Sequence, residues 1–278
     1  MWTLSGFADE IDDDFATQCE VLNRLGVTHL ELRSAWGVNV LDLDEAQRAE
    51  CRRLLAEHGL SVSSIGSPIG KISITDDVEP HLQRFEHALD VADEFGAPYI
   101  RLFSFFIPEG EDTDDYRDEV MRRMTALAAA AQGRGVTLLH ENEKDIFGDI
   151  PRRCVDIAET VEAAHPGVLR LVFDPANYVQ CGVVPVDEGY DAVRPHLAYV
   201  HVKDAKAADS SVHPAGEGDG QVRRLVQRLK ADGFDGFFSL EPHLGEYTAF
   251  GALSGPEQWT RAHAAFTTML RDEGVEYA

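Results

Sequence analysis

Basic residues are scarce in this chain: 25 lysines and arginines stand against 49 aspartates and glutamates, a formal net charge of −24 over 278 residues. A field of that sign repels polyanions, which argues against nucleic acid as a ligand; the acids are spread along the chain, as a solubility feature would be. Long apolar runs are also missing. None approaches the roughly 20 residues a bilayer requires, and the opening MWTLSGFADE has neither the basic nor the apolar stretch of an export signal. A cytoplasmic protein with no membrane partner is the expectation. The four cysteines, Cys19, Cys51, Cys154 and Cys181, include no CxxC pair and read as reduced, structural thiols. No low-complexity tract or Pro/Ser-rich linker interrupts the chain, so residues 1–278 are expected to form a single domain.

What is present is alternation. Short β-branched or aromatic runs fall near 2–7 (WTLSGF), 28–33 (THLELR), 60–66 (LSVSSIG), 98–105 (PYIRLFSF), 135–142 (GVTLLHEN), 168–174 (VLRLVFD), 197–203 (LAYVHVK) and 235–241 (DGFFSLE). Helical spacing follows each of them, as over 13–25 and 44–58, and Gly26, Gly59, Gly96, Gly135 and Gly233 punctuate the returns to strand. Pro151 and Pro256 suit the first turns of two further helices. Eight βα units predict a parallel sheet, either closed or doubly wound. The first turn, SGFADEID, lacks the GxGxxG of a dinucleotide loop, which favours a single α/β (β/α)₈ TIM barrel.

In such barrels chemistry sits at the C-terminal strand ends. Four successive strands carry a metal-ligating type there: VTLLH runs into Glu141, LRLVF into Asp174, His201 lies within YVHVKD, and GFFSL runs into Glu241. Taken singly, each acid could be a helix cap and the histidine a core residue. Together in register they would repel one another without a cation, and three carboxylates with an imidazole suit a divalent metal.

The segments HENEKDIFGD, FDPANYVQCG, YVHVKDA, HPAGEGDG and FFSLEPHL resemble the xylose isomerase-like TIM-barrel superfamily, and within it the sugar phosphate isomerase/epimerase group that includes inosose isomerase, ketose 3-epimerases and hydroxypyruvate isomerase. The resemblance spans nearly the whole chain. It implies one metal ion on Glu141, Asp174, His201 and Glu241, Mn²⁺ first with Mg²⁺, Co²⁺ or Zn²⁺ as alternatives. It also implies proton transfer through a metal-stabilised enediolate of a keto-sugar or cyclitol, with Glu141 and Glu241 as the acid/base pair, and assembly as a homodimer or homotetramer.

Two positions depart from the ketose 3-epimerases. Asn177 stands where they have a histidine three residues after the ligating aspartate, and VKDAKAAD after His201 lacks their arginine. Lys203 shares the strand face of His201 and can orient a substrate hydroxyl, carboxylate or phosphate, or pair with Asp204 or Glu217. Arg33, which shares a strand face with Glu31, joins Lys71, Arg101, Glu143, His213 and Glu217 as further substrate-binding candidates, with Asn177 and Lys203. The loops FIPEGEDTDDY and HLGEYTAFGALSGP offer Phe106, Tyr247 and Phe250 as a lid or a subunit contact. Competing readings are a lyase or dehydratase on a keto-sugar, inosose or 3-keto-glycoside using the same metal, an endonuclease IV-like phosphodiesterase, and a non-catalytic subunit.

Overall fold

Strict alternation along short strands gives each one face toward surrounding helices and one toward a common axis. The computed structural model describes residues 1–247 and 252–278, and in it the strands are β1 (Thr3–Gly6), β2 (His29–Leu32), β3 (Ser61–Gly66), β4 (Tyr99–Leu102), β5 (Thr137–Glu141), β6 (Leu169–Phe173), β7 (Leu197–Val202) and β8 (Phe237–Leu240). They pair in parallel in the order β1-β8-β7-β6-β5-β4-β3-β2, and β1 packs beside β2 at the seam. The chain is an (β/α)₈ TIM barrel, as its alternation predicts.

The outer layer comprises α1 (Phe15–Leu25), α2 (Glu45–His58), α3 (Glu79–Phe95), α4 (Arg117–Ala131), α5 (Pro151–Ala164), α6 (Pro175–Gln180), α7 (Val222–Ala231) and α8 (Gly255–Asp272). Their ends follow the local signals. Asp14 and Asp44 cap α1 and α2 through the backbone N–H groups of Thr17 and Gln47, and both helices close on left-handed glycines, Gly26 and Gly59. Pro151 and Pro256 lie in the first turns of α5 and α8. After β6 the helical stretch is broken: α6 has only 6 residues, and Pro185–His196 follows as π, α and 3₁₀ turns. Pro185, with no donor and a fixed φ, starts that irregular stretch.

One strand is shorter than its composition suggests. β4 stops at Leu102 because the next residues leave the sheet to bond the loop after β3: Phe103 N donates to Ile69 O and Phe105 N to Gly70 O. Phe106, a lid candidate, is bridged to Ser73 and Ile146. The Tyr247 side chain and Phe250 lie outside the described residues.

Inside the barrel, inward residues form layers. Tyr99, Tyr199 and Phe237 make an aromatic base, with Tyr199 stacked on Phe237 at 5.7 Å between ring centroids. Above it the hydroxyls of Ser5, Ser63 and Tyr199 are linked at 2.6 and 2.8 Å. Two residues beyond Tyr99 and Tyr199, Arg101 and His201 enter the charged layer, and Glu241, four residues beyond Phe237, joins it just past the end of β8, so the packed floor sets the height of the charged layer. Cys19, Cys51 and Cys154 are buried and Cys181 half-buried; burial pushes all four thiols up to about 12, which suits inert structural cysteines. Among the described residues no helix is long and apolar enough to cross a membrane.

Candidate metal centre

Glu141 ends β5, Asp174 follows β6 as the N-cap of α6, His201 lies in β7, and Glu241 follows β8. One ligand atom from each falls within 4.8 Å of the others, and all four residues are buried. His201 Nδ1 is the common neighbour, 2.9 Å from Glu141 Oε1 and 3.8 Å from both Asp174 Oδ2 and Glu241 Oε2. The four strand ends picked out in the sequence therefore converge on one point.

A belt of charge surrounds them. Arg101 Nη1 donates to Glu141 Oε2 at 3.1 Å, and Arg33 Nη1 to Glu241 Oε1 at 3.1 Å. Each glutamate thus turns one oxygen toward the cluster and has the other held by an arginine, Glu141 by one from the adjacent strand β4 and Glu241 by one that follows β2, two strands away. Arg33 also forks onto Asp9 at 2.7 and 3.1 Å, and lies over the Phe7 ring at 4.4 Å. Lys203 Nζ is 2.7 Å from Glu241 Oε2 and 2.9 Å from Asp174 Oδ2. It pairs with neither Asp204 nor Glu217, the partners its sequence position suggested. Asn177 Nδ2 donates to Glu141 Oε1 at 3.2 Å and to Asn142 O at 2.9 Å.

The protonation balance follows from these contacts. Burial opposes the charge of Glu141, yet His201 and Arg101 outweigh it and hold the carboxyl at about 2. Glu241 is held well below the carboxylate range against burial by Lys203, His243, His201 and Arg33. At Asp174 burial prevails over Lys203, and with Glu141 and Glu241 close by the carboxyl rises to about 6. Burial works against Lys203 and His201, but the surrounding carboxylates raise both well above their ordinary values.

Six carboxylates, Asp9, Glu10, Glu31, Glu141, Asp174 and Glu241, each with side-chain exposure of 6% or less, face three permanent cations, Arg33, Arg101 and Lys203. Asp174 Oδ2 is buried and accepts no aligned hydrogen bond, although Lys203 is near. A negative surplus, an unsatisfied carboxylate oxygen and an imidazole converging with three acids fit a hard or borderline divalent cation.

The remaining candidates lie further out. Lys71 and Glu143 pair with each other at 2.7 Å, with Lys71 over the Phe103 ring. His213 contacts Ser211, and Glu217 pairs with Arg261 on α8; among the described residues neither bonds the cluster. The HPAGEGDG loop they belong to is organised by Asp204. Its buried carboxylate accepts the backbone N–H groups of Ala205, Gly216, Gly218 and Gly220 at 2.8–3.0 Å. A Cβ at Gly218 would lie 2.2 Å from Asp204 Oδ1, so that glycine is there for close approach.

Three residues of the belt escaped notice in the sequence. Asp9 and Glu10 follow β1, and the strand-end logic applied to β5–β8 would have found them. His243, two residues after Glu241, has a left-handed φ of 49° and places Nδ1 2.7 Å from Glu10 Oε1.

The model of the xylose isomerase-like TIM barrel family matches residues 19–269, and the chain belongs to that family. No curated protein matches the sequence. A xylose isomerase-like TIM barrel protein from Mycobacterium smegmatis, solved in complex with magnesium, superposes with a TM-score of 0.69 at 21% identity, over 96% of this chain and 97% of that one. The probable 3-DHS dehydratase AsbF from Bacillus anthracis aligns with a TM-score of 0.73 at 19% identity, over 96% and 98% of the two chains. The 3-keto-D-glucoside 4-epimerase YcjR from E. coli aligns with a TM-score of 0.70 at 15% identity, over 97% and 98%. At these identities the likeness is one of fold.

Proposed function

We propose that this protein is a metal-dependent isomerase or epimerase of a keto-sugar or cyclitol, acting by proton transfer next to a carbonyl. The observation that carries the reading is the pair Glu141 and Glu241, each contributing one oxygen to a four-residue cation site and having the other fixed by an arginine. Glu141, Asp174, His201 and Glu241 would hold the ion, Mn²⁺ being our first choice. When bound, such a cation supplies Lewis-acid polarisation of a carbonyl and its neighbouring hydroxyl. Glu141 and Glu241 then serve as base and acid on the carbon between them, and Arg101 and Arg33 keep their carboxylates aimed.

A substrate without a phosphate, such as a free keto-sugar or keto-cyclitol, is favoured. Arg33, Arg101, Lys203 and Lys71 each already have a carboxylate within 3.1 Å, so a phosphate would have to compete for every one of them. Asn177 and Lys203, both beside the cluster, are the candidate contacts for hydroxyls.

A second reading is favoured by Lys203. An ammonium beside the proposed base can donate to a departing hydroxyl, which turns proton abstraction into β-elimination. That makes a dehydratase on the same scaffold, and the likeness to AsbF supports keeping it in view.

Incubation of the Mn²⁺-loaded protein with ketoses, inososes and 3-keto-glucosides in D₂O, followed by NMR and mass spectrometry, tests both. Deuterium at one carbon with mass otherwise conserved supports the isomerase, and loss of water supports the dehydratase. Absence of exchange with every compound refutes proton transfer, and full exchange by Glu141→Gln or Glu241→Gln refutes the assignment of the pair. The loss expected for either variant is about 10²–10⁴-fold.

A further inference from the structure

His201 is held on every side. Its ring has no exposed surface, and Phe7 and Tyr199 pack against it in edge geometry with centroids at 5.2 and 5.8 Å. Nδ1 faces the three carboxylates of the cation site. Among the described residues Nε2 has one hydrogen-bond partner, Glu31 Oε2, at 3.1 Å. Glu31 lies at the register shift between Leu30 and Glu31 in the β2–β3 ladder, an irregularity of the kind that re-aims a side chain. It stands outside the four-residue donor set.

A carboxylate can only accept a hydrogen bond, so in the metal-free ring Nδ1 donates to Glu141 Oε1 at 2.9 Å and Nε2 to Glu31 Oε2, and a cation entering the cluster would displace the Nδ1 proton while the one on Nε2 stays with Glu31. In the resulting neutral imidazole the lone pair is on Nδ1, the atom that converges with Glu141, Asp174 and Glu241. Arg101 Nε lies 3.8 Å from the other carboxylate oxygen, Glu31 Oε1, as an ion pair without a hydrogen bond. We propose that Glu31 is a positioning residue for the cation site: by accepting from His201 Nε2 it fixes the tautomer and ring angle that present Nδ1 as a ligand. This rests on the reading of Glu141, Asp174, His201 and Glu241 as a metal site.

Reach and charge can be separated. Glu31→Gln keeps an acceptor oxygen at the same reach without charge, and Glu31→Asp keeps the charge but falls short of Nε2. Mn²⁺ binding to the metal-free proteins is measured by titration calorimetry, with each variant's folding checked by thermal melting. Wild type is expected to bind one Mn²⁺, Gln to stay within about 3-fold of it, and Asp and Ala to bind about 10–100-fold more weakly, the usual range for groups that orient a metal's ligands. In the Zn²⁺-loaded protein labelled with ¹⁵N-histidine, the protonated Nε2 signal of His201 should persist in Gln and change in Asp. A merely structural residue would lower the melting temperature of the variants and leave the affinity of the folded protein intact. Wild-type affinity in Asp, or Gln as weak as Asp, overturns the role of Glu31 alone; absence of Mn²⁺ binding by the wild type overturns the metal site and this role with it.

Discussion

The Lys203 ammonium lies 2.7 Å from Glu241 Oε2 and spans from it to Asp174. Both carboxylates are buried donors of the candidate metal centre, so Lys203 is the cation that balances them in a metal-free chain. Removing one partner of a buried ionic group typically costs about 3–5 kcal/mol, because the remaining charge is left uncompensated. Lys203→Met is therefore expected to lower the melting temperature of metal-free protein sharply and to gain more from added Mn²⁺ than wild type does. Differential scanning calorimetry with and without the ion reads both effects; an unchanged metal-free melt would refute the balancing role.

Metal removal should destabilise the wild type in proportion to occupancy. At a free ion concentration one hundred times Kd, binding contributes about 2.7 kcal/mol, which chelation with EDTA would withdraw. A melting temperature indifferent to EDTA and to readded Mn²⁺ would count against the centre.

The loop over residues 213–220 depends on Asp204, whose carboxylate satisfies four backbone donors. Gly218→Ala would press a methyl onto that carboxylate and break part of the set, at about 1–3 kcal/mol for each buried group left unpaired. Urea titration and limited proteolysis should show a less stable protein with new cleavage in this loop. Gly233→Ala, where a Cβ meets nothing within 4 Å but φ is 70°, serves as the control for backbone strain alone.

His81 predicts a pH dependence away from the centre. Its Nε2 accepts the Gly70 N–H at 2.7 Å, and burial, aided by Arg84 and Arg123, lowers its pKa from 6.5 to about 4. The folded state favours the neutral ring, so this contribution is complete above pH 6.5 and is lost as pH falls toward 4. Its ceiling is about 3 kcal/mol. Stability curves of wild type and His81→Phe across that window should converge as the pH drops; parallel curves would exclude the effect.

The sequence by itself determined the barrel and the four proposed ligands, because both are written in local, periodic terms. Strand alternation and capping signals such as Asp14 and Gly26 act over a few residues, and a ligand at a strand end is visible from the run that precedes it. Tertiary structure alone decided the partners. Lys203 has Asp204 next to it in the chain but pairs with Asp174 and Glu241, since β-strand alternation turns adjacent side chains to opposite faces while barrel closure brings β6 and β8 to either side of β7. Arg33 and Arg101 could have been open anion binders; pairing of β4 with β5 instead sets Arg101 against Glu141, and closure of the β1–β2 seam sets Arg33 against Glu241. Asp204 could only be read as a possible partner of Lys203, because its glycine partners are 12 to 16 residues away. The contact between His201 and Glu31 was equally hidden, since 170 residues separate them and only the closed sheet sets them face to face.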